Sequence, residues 1–271
     1  MEKAYENRDF LASREARTLR ILSEYLEPQA RFARYRIKDT VVFFGSARAI
    51  SPEAVPAAVA EAQGIGTPAV LAAAKAAVRL APYYDGAREL AHKVTEWSKS
   101  LQLPNRRFIV CSGGGPGIME AANRGASEAH GISIGLGISL PSEPSANPYI
   151  TRELGFEFLY FFMRKFWFVY LAKALVVFPG GFGTLDELFE ILTLVQTRKT
   201  VKRLPIVLFG REYWSEILNL DALVRWGTIS PDDLQLFKIV DTPDEAFEHL
   251  KTELSMLYLE AEASGTGAPQ A

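Results

Sequence analysis

Short apolar runs and longer segments of helical periodicity alternate along most of this chain. The apolar runs are rich in β-branched and aromatic residues and end at glycine or other small residues, which is typical of buried strands in a parallel sheet. We predict strands at 40–44, 107–111, 131–136, 176–178, 204–210 and 237–240. Residues 157–161 form either a further strand or the start of a helix.

Apolar residues at helical spacing predict the segments that connect these strands. The first predicted helix carries Phe10, Leu19 and Leu26 and ends before Pro28. Further helices are predicted in an alanine-rich insertion, from about Tyr83 after Pro82, and at 162–171, 185–195, 213–226 and 243–257. The alternation of strand and helix predicts an α/β fold, a doubly wound parallel sheet with helices on both faces.

Changes in composition divide the chain into a main domain and two terminal segments. Residues 1–37 form an N-terminal helical extension, which either caps the main domain or packs on another subunit. The main domain covers 38–260 and contains the helical insertion at about 51–80. The tail at 261–271 is rich in small residues, and we expect it to be disordered.

Length and charge restrict the classes of function. At 271 residues, with 48% hydrophobic and 23% charged residues, the chain can bury one large core. Its formal net charge of -2 gives no overall attraction to nucleic acid or to a membrane surface. Because the N-terminus is charged and no apolar run reaches the length of a membrane span, we expect a cytoplasmic protein without a secretory signal.

Cysteine and histidine usage argues against a metal centre or a disulfide. The chain has a single cysteine, Cys111, which we expect to be packed in a strand, so an internal disulfide is excluded. Its three histidines show no paired spacing, and we therefore expect no dedicated metal site.

A glycine loop between an apolar run and a helix is the stretch that most suggests ligand binding. Glycines allow backbone amides to approach a ligand, and a helix N-terminus adds unpaired N–H groups and a positive dipole end. A phosphate group is the ligand that such a loop favours. The candidate phosphate-binding residues are Gly180, Gly181, Gly183 and Thr184.

An alternative explanation of part of this loop is helix capping. Thr184 and Glu187 have the spacing of a capping box, with Thr184 as the N-cap and Glu187 at N3. Capping alone does not require the three glycines that precede Thr184. The strict P-loop and dinucleotide-binding patterns do not fit the loop either.

Two more turns rich in small residues follow predicted strands. Because parallel strands with right-handed crossovers end at the same edge of a sheet, these turns and the first loop can bind one ligand together. Glu120 and Asn123 follow on one face of the next helix. Either one of them contacts a base or sugar, or this face is exposed to solvent. The candidate binding residues are Gly45, Ser46, Gly113, Gly114, Gly115, Gly117 and Glu120.

Two cations interrupt the apolar face of the aromatic helix at 162–171. Arg164 and Lys165 stand among residues that belong to the core or to a subunit interface. Buried cations need anionic partners, so we expect a phosphate or a carboxylate near them.

Four separated motifs resemble the LOG (LONELY GUY) family, whose members were often labelled lysine decarboxylases. The motifs are Phe44-Gly45-Ser46, the Gly-Gly-Gly-Pro-Gly-Ile-Met-Glu run at 113–120, Arg164-Lys165, and the Pro-Gly-Gly-Phe-Gly-Thr-Leu-Asp-Glu run at 179–187. The resemblance covers roughly residues 38–255. One departure lies before the Arg-Lys pair, where the family often has Met-His and this chain has Phe161, Phe162 and Met163.

The resemblance implies a Rossmann-like fold, a dimer or higher oligomer, and hydrolysis of the N-glycosidic bond of purine nucleoside 5'-monophosphates. Family members act on cytokinin riboside monophosphates, AMP or both. By similarity, Arg164 and Glu187 match the catalytic arginine and glutamate, Gly180 to Thr184 match the phosphate site, and Lys165 is a candidate for binding the nucleotide directly. The resemblance therefore implies a small nucleotide as the substrate. It implies no cofactor and no binding to nucleic acid or to a membrane.

A rival interpretation is a binding module that holds a nucleotide or cofactor without chemistry, since the same glycine loops would serve it. The presence of both Arg164 and Glu187 favours an enzyme. A pyridoxal-dependent decarboxylase is disfavoured, because the sequence lacks a recognisable site for a Schiff-base lysine.

Overall fold

The strands form one all-parallel sheet of seven strands in the computed structural model, which describes residues 2–139, 146–200 and 202–260. They are β1 (Thr40–Phe44), β2 (Ile109–Ser112), β3 (Ser133–Ile138), β4 (Gly155–Phe158), β5 (Ala172–Val177), β6 (Ile206–Phe209) and β7 (Lys238–Val240). Their order across the sheet is β4-β3-β2-β1-β5-β6-β7, with every neighbouring pair parallel. The segment at 157–161 thus contains the end of β4 and the first residue of a helix. The predicted tail at 261–271 lies outside the described residues.

Ten α-helices occur within the described ranges. They are α1 (Arg8–Ala12), α2 (Arg17–Arg34), α3 (Val55–Ile65), α4 (Pro68–Ser100), α5 (Ile118–Glu128), α6 (Phe161–Tyr170), α7 (Phe182–Gln196), α8 (Arg211–Ile217), α9 (Leu220–Arg225) and α10 (Pro243–Leu254). Short 3-10 turns lie at Pro52–Ala54, Arg152–Leu154 and Pro231–Gln235, and a π-helical turn lies at Ser255–Glu260. In the described part of the chain, no helix combines the length and apolar character needed to cross a bilayer.

The sheet separates two hydrophobic cores, because alternate side chains of each strand point to opposite faces. Val42 and Phe44 of β1 belong to one core, which is covered by residues of α6 and α7. Val41 and Phe43 belong to the other core, which is covered by residues of α4, α5 and α10. The predicted doubly wound sheet with helices on both faces is therefore confirmed.

The order of the strands places a crevice beside β1. After β1 the chain fills one side of the sheet with β2, β3 and β4, and then returns to fill the other side with β5, β6 and β7. β1 and β5 are neighbours at this change of direction. Open α/β sheets bind ligands outside the carboxyl ends of the strands at such a point. The loops after β1, β2 and β5 all open there.

Two prolines that the pattern treats as helix boundaries lie inside helices. Pro28 is within α2, and Pro82 is within α4. The predicted helix end before Pro28 and the predicted helix start at Tyr83 are therefore wrong. A proline in a helix interior costs about 3 kcal/mol. Tertiary packing offsets this cost here, because Pro28 is itself buried and Tyr84, two residues after Pro82, belongs to the core.

The predicted helix at 213–226 is instead two helices, α8 and α9. The break falls at Leu218, whose backbone is extended, and at Asn219. The Asn219 side chain accepts a hydrogen bond from the Ala222 amide at 3.0 Å and so caps α9. A local side-chain cap thus replaces a continuous backbone ladder.

The N-terminal helix α2 packs against the main domain at the start of α6. The carboxylate of Glu24 accepts hydrogen bonds from the amides of Leu159, at 2.8 Å, and Tyr160, at 3.3 Å. Trp167 of α6 donates its indole N–H to the Glu24 carbonyl at 2.9 Å. These contacts favour the capping alternative for this helix, while Leu19 and Leu26 on another face of α2 are exposed.

Candidate active site

The glycine loop after β5 leads directly into α7. The helix begins at Phe182 with Gly181 as its N-cap, and no described side chain caps its first turn. The Leu185 amide donates to the Gly181 carbonyl at 3.0 Å, which makes it the first amide with an intrahelical partner. The amides before it in an α-helix have no such partner, so this helix start is suited to an anion.

The capping-box explanation of Thr184 and Glu187 is wrong. Because Gly181 is the N-cap, Thr184 occupies N3 and Glu187 lies almost a turn further along α7. Both side chains are buried rather than arranged around the helix end. The sequence pattern misplaced the cap because glycine itself adopts the extended N-cap conformation here.

The glycines of this loop fall into two groups. A Cβ at Gly180 would lie 2.1 Å from the Thr184 hydroxyl oxygen, so packing within the loop requires glycine. Tyr213 also donates its hydroxyl proton to the Gly180 carbonyl at 2.5 Å. At Gly181 and Gly183, in contrast, a Cβ would meet no atom of the described residues within 4 Å. Internal packing therefore does not explain these two glycines, whereas close approach of a ligand would.

The loops after β1 and β2 contact each other at the same edge. A Cβ at Gly117 would lie 2.2 Å from the Ser46 carbonyl oxygen, and the φ angle of Gly117 is +73°. That carbonyl accepts a hydrogen bond from the Ile118 amide at 3.0 Å. A Cβ at Gly45 would lie 2.7 Å from the Ile118 side chain. Close packing between the loops thus explains Gly45 and Gly117, while the Ser46 hydroxyl accepts from the Arg48 amide at 3.1 Å.

A buried polar network shapes the triple-glycine part of the second loop. The Gly114 amide donates to the Ser112 hydroxyl at 3.0 Å. The Gly114 carbonyl accepts from the backbone amide of Asn147 at 2.8 Å, and the Gly115 carbonyl accepts from its side-chain amide at 3.0 Å. Asn147 was not predicted as a functional residue. Its sequence neighbourhood of prolines and polar residues carries no signal for such a contact.

Asn123 and Glu120 both form hydrogen bonds within the chain. Asn123 is fully buried, and its side-chain oxygen accepts from the Ser112 hydroxyl at 2.7 Å and from the Asn147 side chain at 3.0 Å. Glu120 accepts a hydrogen bond from the Tyr84 hydroxyl at 2.8 Å. The solvent-facing alternative is therefore wrong for Asn123, which stabilises the loop from behind.

Arg164 on α6 lies against the second glycine loop. A Cβ at Gly113 would lie 2.6 Å from an Nη atom of Arg164, so this glycine leaves room for the guanidinium group. The Nε of Arg164 donates to the Leu136 carbonyl at 2.7 Å, and the guanidinium lies 5.1 Å from the Phe168 ring centroid. These contacts fix the side chain between β3 and the second glycine loop.

Lys165 has the anionic partners expected for a cation in an apolar helix. Its ammonium nitrogen lies 2.8 Å from Oδ2 of Asp186 and 2.7 Å from Oε2 of Glu190. Both carboxylates belong to α7 and flank Glu187 along the helix. The anions beside Lys165 are therefore carboxylates of the chain.

Glu187 is a buried carboxyl group with unused hydrogen-bonding capacity. Its side chain is 6% exposed, and Oε2 has no hydrogen-bond partner among the described residues. Burial raises its pKa to about 7, although the charges of Lys165 and Arg164 act to lower it and those of Glu190 and Asp186 act to raise it. A carboxyl group with such a pKa exchanges a proton readily near neutral pH.

Comparison with known proteins places this chain near two groups of nucleotide hydrolases. A family model described as possible lysine decarboxylase matches residues 119–250. The pyrimidine/purine nucleotide 5'-monophosphate nucleosidase of Escherichia coli (strain K12) is 32% identical over 118 residues, which are 40% of this chain and 26% of that protein. A probable cytokinin riboside 5'-monophosphate phosphoribohydrolase of Oryza sativa subsp. japonica, LOGL5, is 29% identical over 152 residues, 53% of this chain and 58% of that protein.

A solved structure gives a more distant match. The molybdenum cofactor carrier protein of Chlamydomonas reinhardtii aligns with 81% of this chain and 99% of its own, at 19% identity and a TM-score of 0.47. The two sequence matches cover only about a quarter of the bacterial nucleosidase and a little over half of the rice protein. The family match and the named relatives confirm the resemblance to the LOG family.

Proposed function

We propose that this relative of the LOG family hydrolyses the N-glycosidic bond of purine nucleoside 5'-monophosphates. The products are the free base and ribose 5-phosphate, and the substrates are cytokinin riboside monophosphates, AMP or both. The observation that supports this most is the position of Glu187, a buried and incompletely hydrogen-bonded carboxyl group. It follows an uncapped, glycine-rich helix start at the strand edge where this fold binds ligands.

The 5'-phosphate is proposed to bind at the start of α7. The first-turn amides and the dipole of this helix favour a dianion. Gly181 and Gly183 leave space on the outside of the loop, and Thr184 lies at N3 beneath it. A phosphate here would place the attached ribose within reach of the first turns of α7, where Glu187 is located.

Glycosidic cleavage builds positive charge on the ribose as the bond from C1' to the base breaks. The carboxylate of Glu187 is proposed to stabilise this oxocarbenium-like state or to orient the attacking water. The water oxygen then bonds to C1', and its proton leaves through the carboxylate towards the departing base. A pKa of about 7 suits this exchange, since the group can accept and release a proton near neutral pH.

Arg164 is proposed to neutralise the phosphate or to assist the departing base. Its side chain is held by the Leu136 carbonyl and lies against Gly113 of the second loop. A fixed cation costs little reorganisation when charge develops in the transition state. The Lys165 side chain is the neighbouring cation, but it is engaged by Asp186 and Glu190.

The substrate proposal is tested by incubating the full chain with AMP, isopentenyl-adenosine monophosphate and adenosine, and by measuring free base and ribose 5-phosphate. We expect equal amounts of base and ribose 5-phosphate from one or both nucleotides, and little turnover of adenosine because it lacks the phosphate. Stoichiometric nucleotide binding without product would contradict hydrolysis and indicate a non-catalytic carrier or sensor.

A further inference from the structure

We propose that Lys165 is a positioning residue, which orients Glu187 by binding the two carboxylates beside it and supplies the positive charge next to it. The inference rests on the proposed function in so far as Glu187 acts in hydrolysis. It differs from the role expected by similarity, in which Lys165 binds the nucleotide directly.

The geometry of α7 carries this inference. Asp186 and Glu190 are four residues apart and thus lie on one side of the helix, where a single ammonium group can reach both. Lys165 from α6 does so at 2.8 Å and 2.7 Å. Glu187 lies between these two carboxylates in sequence and three residues before Glu190. The two bridges therefore fix the rotation of α7 relative to α6, and with it the direction of Glu187.

Burial distinguishes these bridges from ordinary surface ion pairs. The Lys165 side chain is 18% exposed, whereas the carboxylates of Asp186 and Glu190 are 60% and 35% exposed. Burial opposes the charge of Lys165, yet the hydrogen bonds that it donates to Asp186 and Glu190 raise its pKa, so it stays protonated. A partly buried ammonium group loses favourable interactions when it leaves two carboxylates. Lys165 is thus poorly placed to act as a phosphate ligand.

The charges that face Glu187 come from both packed helices. Lys165 and Arg164 on α6 favour its ionised form, and Glu190 and Asp186 on α7 disfavour it. Removal of the Lys165 charge would take away one favourable cation and also leave two carboxylates without their partner. Removal of the Glu190 charge would take away an anion that raises the pKa of Glu187. Loss of the Lys165 charge and loss of the Glu190 charge should therefore change the pKa of Glu187 in opposite directions.

The test measures the pKa of Glu187 in the full chain by NMR, with the glutamate carboxyl carbons labelled with carbon-13. The signal is assigned by its loss in Glu187→Gln. We expect a pKa higher than that of the wild type by about one unit or more in Lys165→Met, and a lower pKa in Glu190→Gln. Lys165→Arg should restore most of the change, because it keeps the cation.

Kinetics and stability then separate the roles. A positioning role predicts that Lys165→Met lowers kcat at neutral pH by about tenfold or more and changes KM less. It also predicts that the pH dependence of kcat moves to higher pH. An unchanged pKa of Glu187 together with a large rise in KM would overturn the proposal in favour of phosphate binding. A lower melting temperature with an unchanged pKa would overturn it in favour of a purely structural bridge.

The NMR readout does not depend on turnover. If the protein hydrolysed no nucleotide but the pKa of Glu187 moved in opposite directions in the two variants, the hydrolase proposal would fail while the influence of Lys165 on Glu187 stood. If Lys165→Met did not fold, Glu190→Gln would still decide: an unchanged or raised pKa in that variant contradicts the proposed charge balance.

Discussion

Gly113 lies against the guanidinium group of Arg164, so that a Cβ at position 113 would be 2.6 Å from an Nη atom of Arg164. The glycine comes from the loop after β2 and the arginine from α6. This contact joins two motifs that are about fifty residues apart in sequence. It also means that the position of the guanidinium depends on the absence of a side chain at Gly113.

The substitution Gly113→Ala is expected to displace the end of the Arg164 side chain. Because the contact is with flexible side-chain atoms of Arg164 and Met119, the fold should accommodate the added methyl group. Because Arg164 is proposed to act in the reaction, its displacement should lower turnover by about tenfold or more. Steady-state kinetics with AMP measures this effect. Gly64→Ala is the matched control, since a Cβ there meets no described atom within 4 Å and lies far along the chain in α3; equal activities of the two variants would contradict the role of this contact.

The substitutions Gly181→Ala and Gly183→Ala are expected to weaken nucleotide binding, and Gly183→Ala is expected to do so without loss of stability. Added methyl groups would clash with a phosphate but not with described protein atoms. Gly183 lies inside α7, where alanine is favoured over glycine by about 0.5–1 kcal/mol, so the melting temperature should hold or rise. The measurements are KM for AMP and thermal unfolding. By comparison, Gly180→Ala should unfold at lower temperature, because its Cβ would lie 2.1 Å from the Thr184 hydroxyl.

The substitution Glu187→Gln is expected to stabilise the protein in a pH-dependent way. Burial raises the pKa of Glu187 in the folded chain to about 7 from 4.5, so the folded state holds this proton more tightly than the unfolded state. The contribution of this group to stability is thus greatest below pH 4.5, falls as the pH rises to 7, and is fully lost above it. The lost free energy is on the order of 3 kcal/mol.

Urea unfolding of the wild type and Glu187→Gln at several pH values measures this difference. The difference in free energy of unfolding between the variant and the wild type should be smallest near pH 4.5. As the pH rises to 8, this difference should grow in favour of the variant. A difference that does not change with pH would show that the carboxyl group is not raised in pKa by burial. Such a stability cost at a buried carboxyl group is common at functional sites.

Much of the fold follows from local pattern. Strands such as β1 are continuous apolar runs, and their alternate residues, for example Val42 and Phe43, fill the two opposite cores. Glycine after a strand and helical periodicity beyond it also placed the loops at one edge of the sheet. These signals are short-range, so a single sequence contains them.

The details of the site depend on contacts between distant segments. The capping alternative for Thr184 is wrong because the spacing alone did not show that Gly181 is the N-cap of the helix. The partners of Lys165 come from another helix, and Asn147 reaches the second loop from over thirty residues away. Likewise Pro28 and Pro82 stay within helices because packing outweighs their local preference.

The most direct test of the central claim compares base release from AMP and isopentenyl-adenosine monophosphate by the wild type, Glu187→Gln and the control Glu248→Gln, whose carboxyl group is exposed on α10. Nucleotide affinity is measured alongside by calorimetry. We predict that wild type and Glu248→Gln release base at similar rates, while Glu187→Gln binds nucleotide but releases base at least about a hundredfold more slowly. Full activity in Glu187→Gln would contradict the assignment of Glu187 as the catalytic carboxylate.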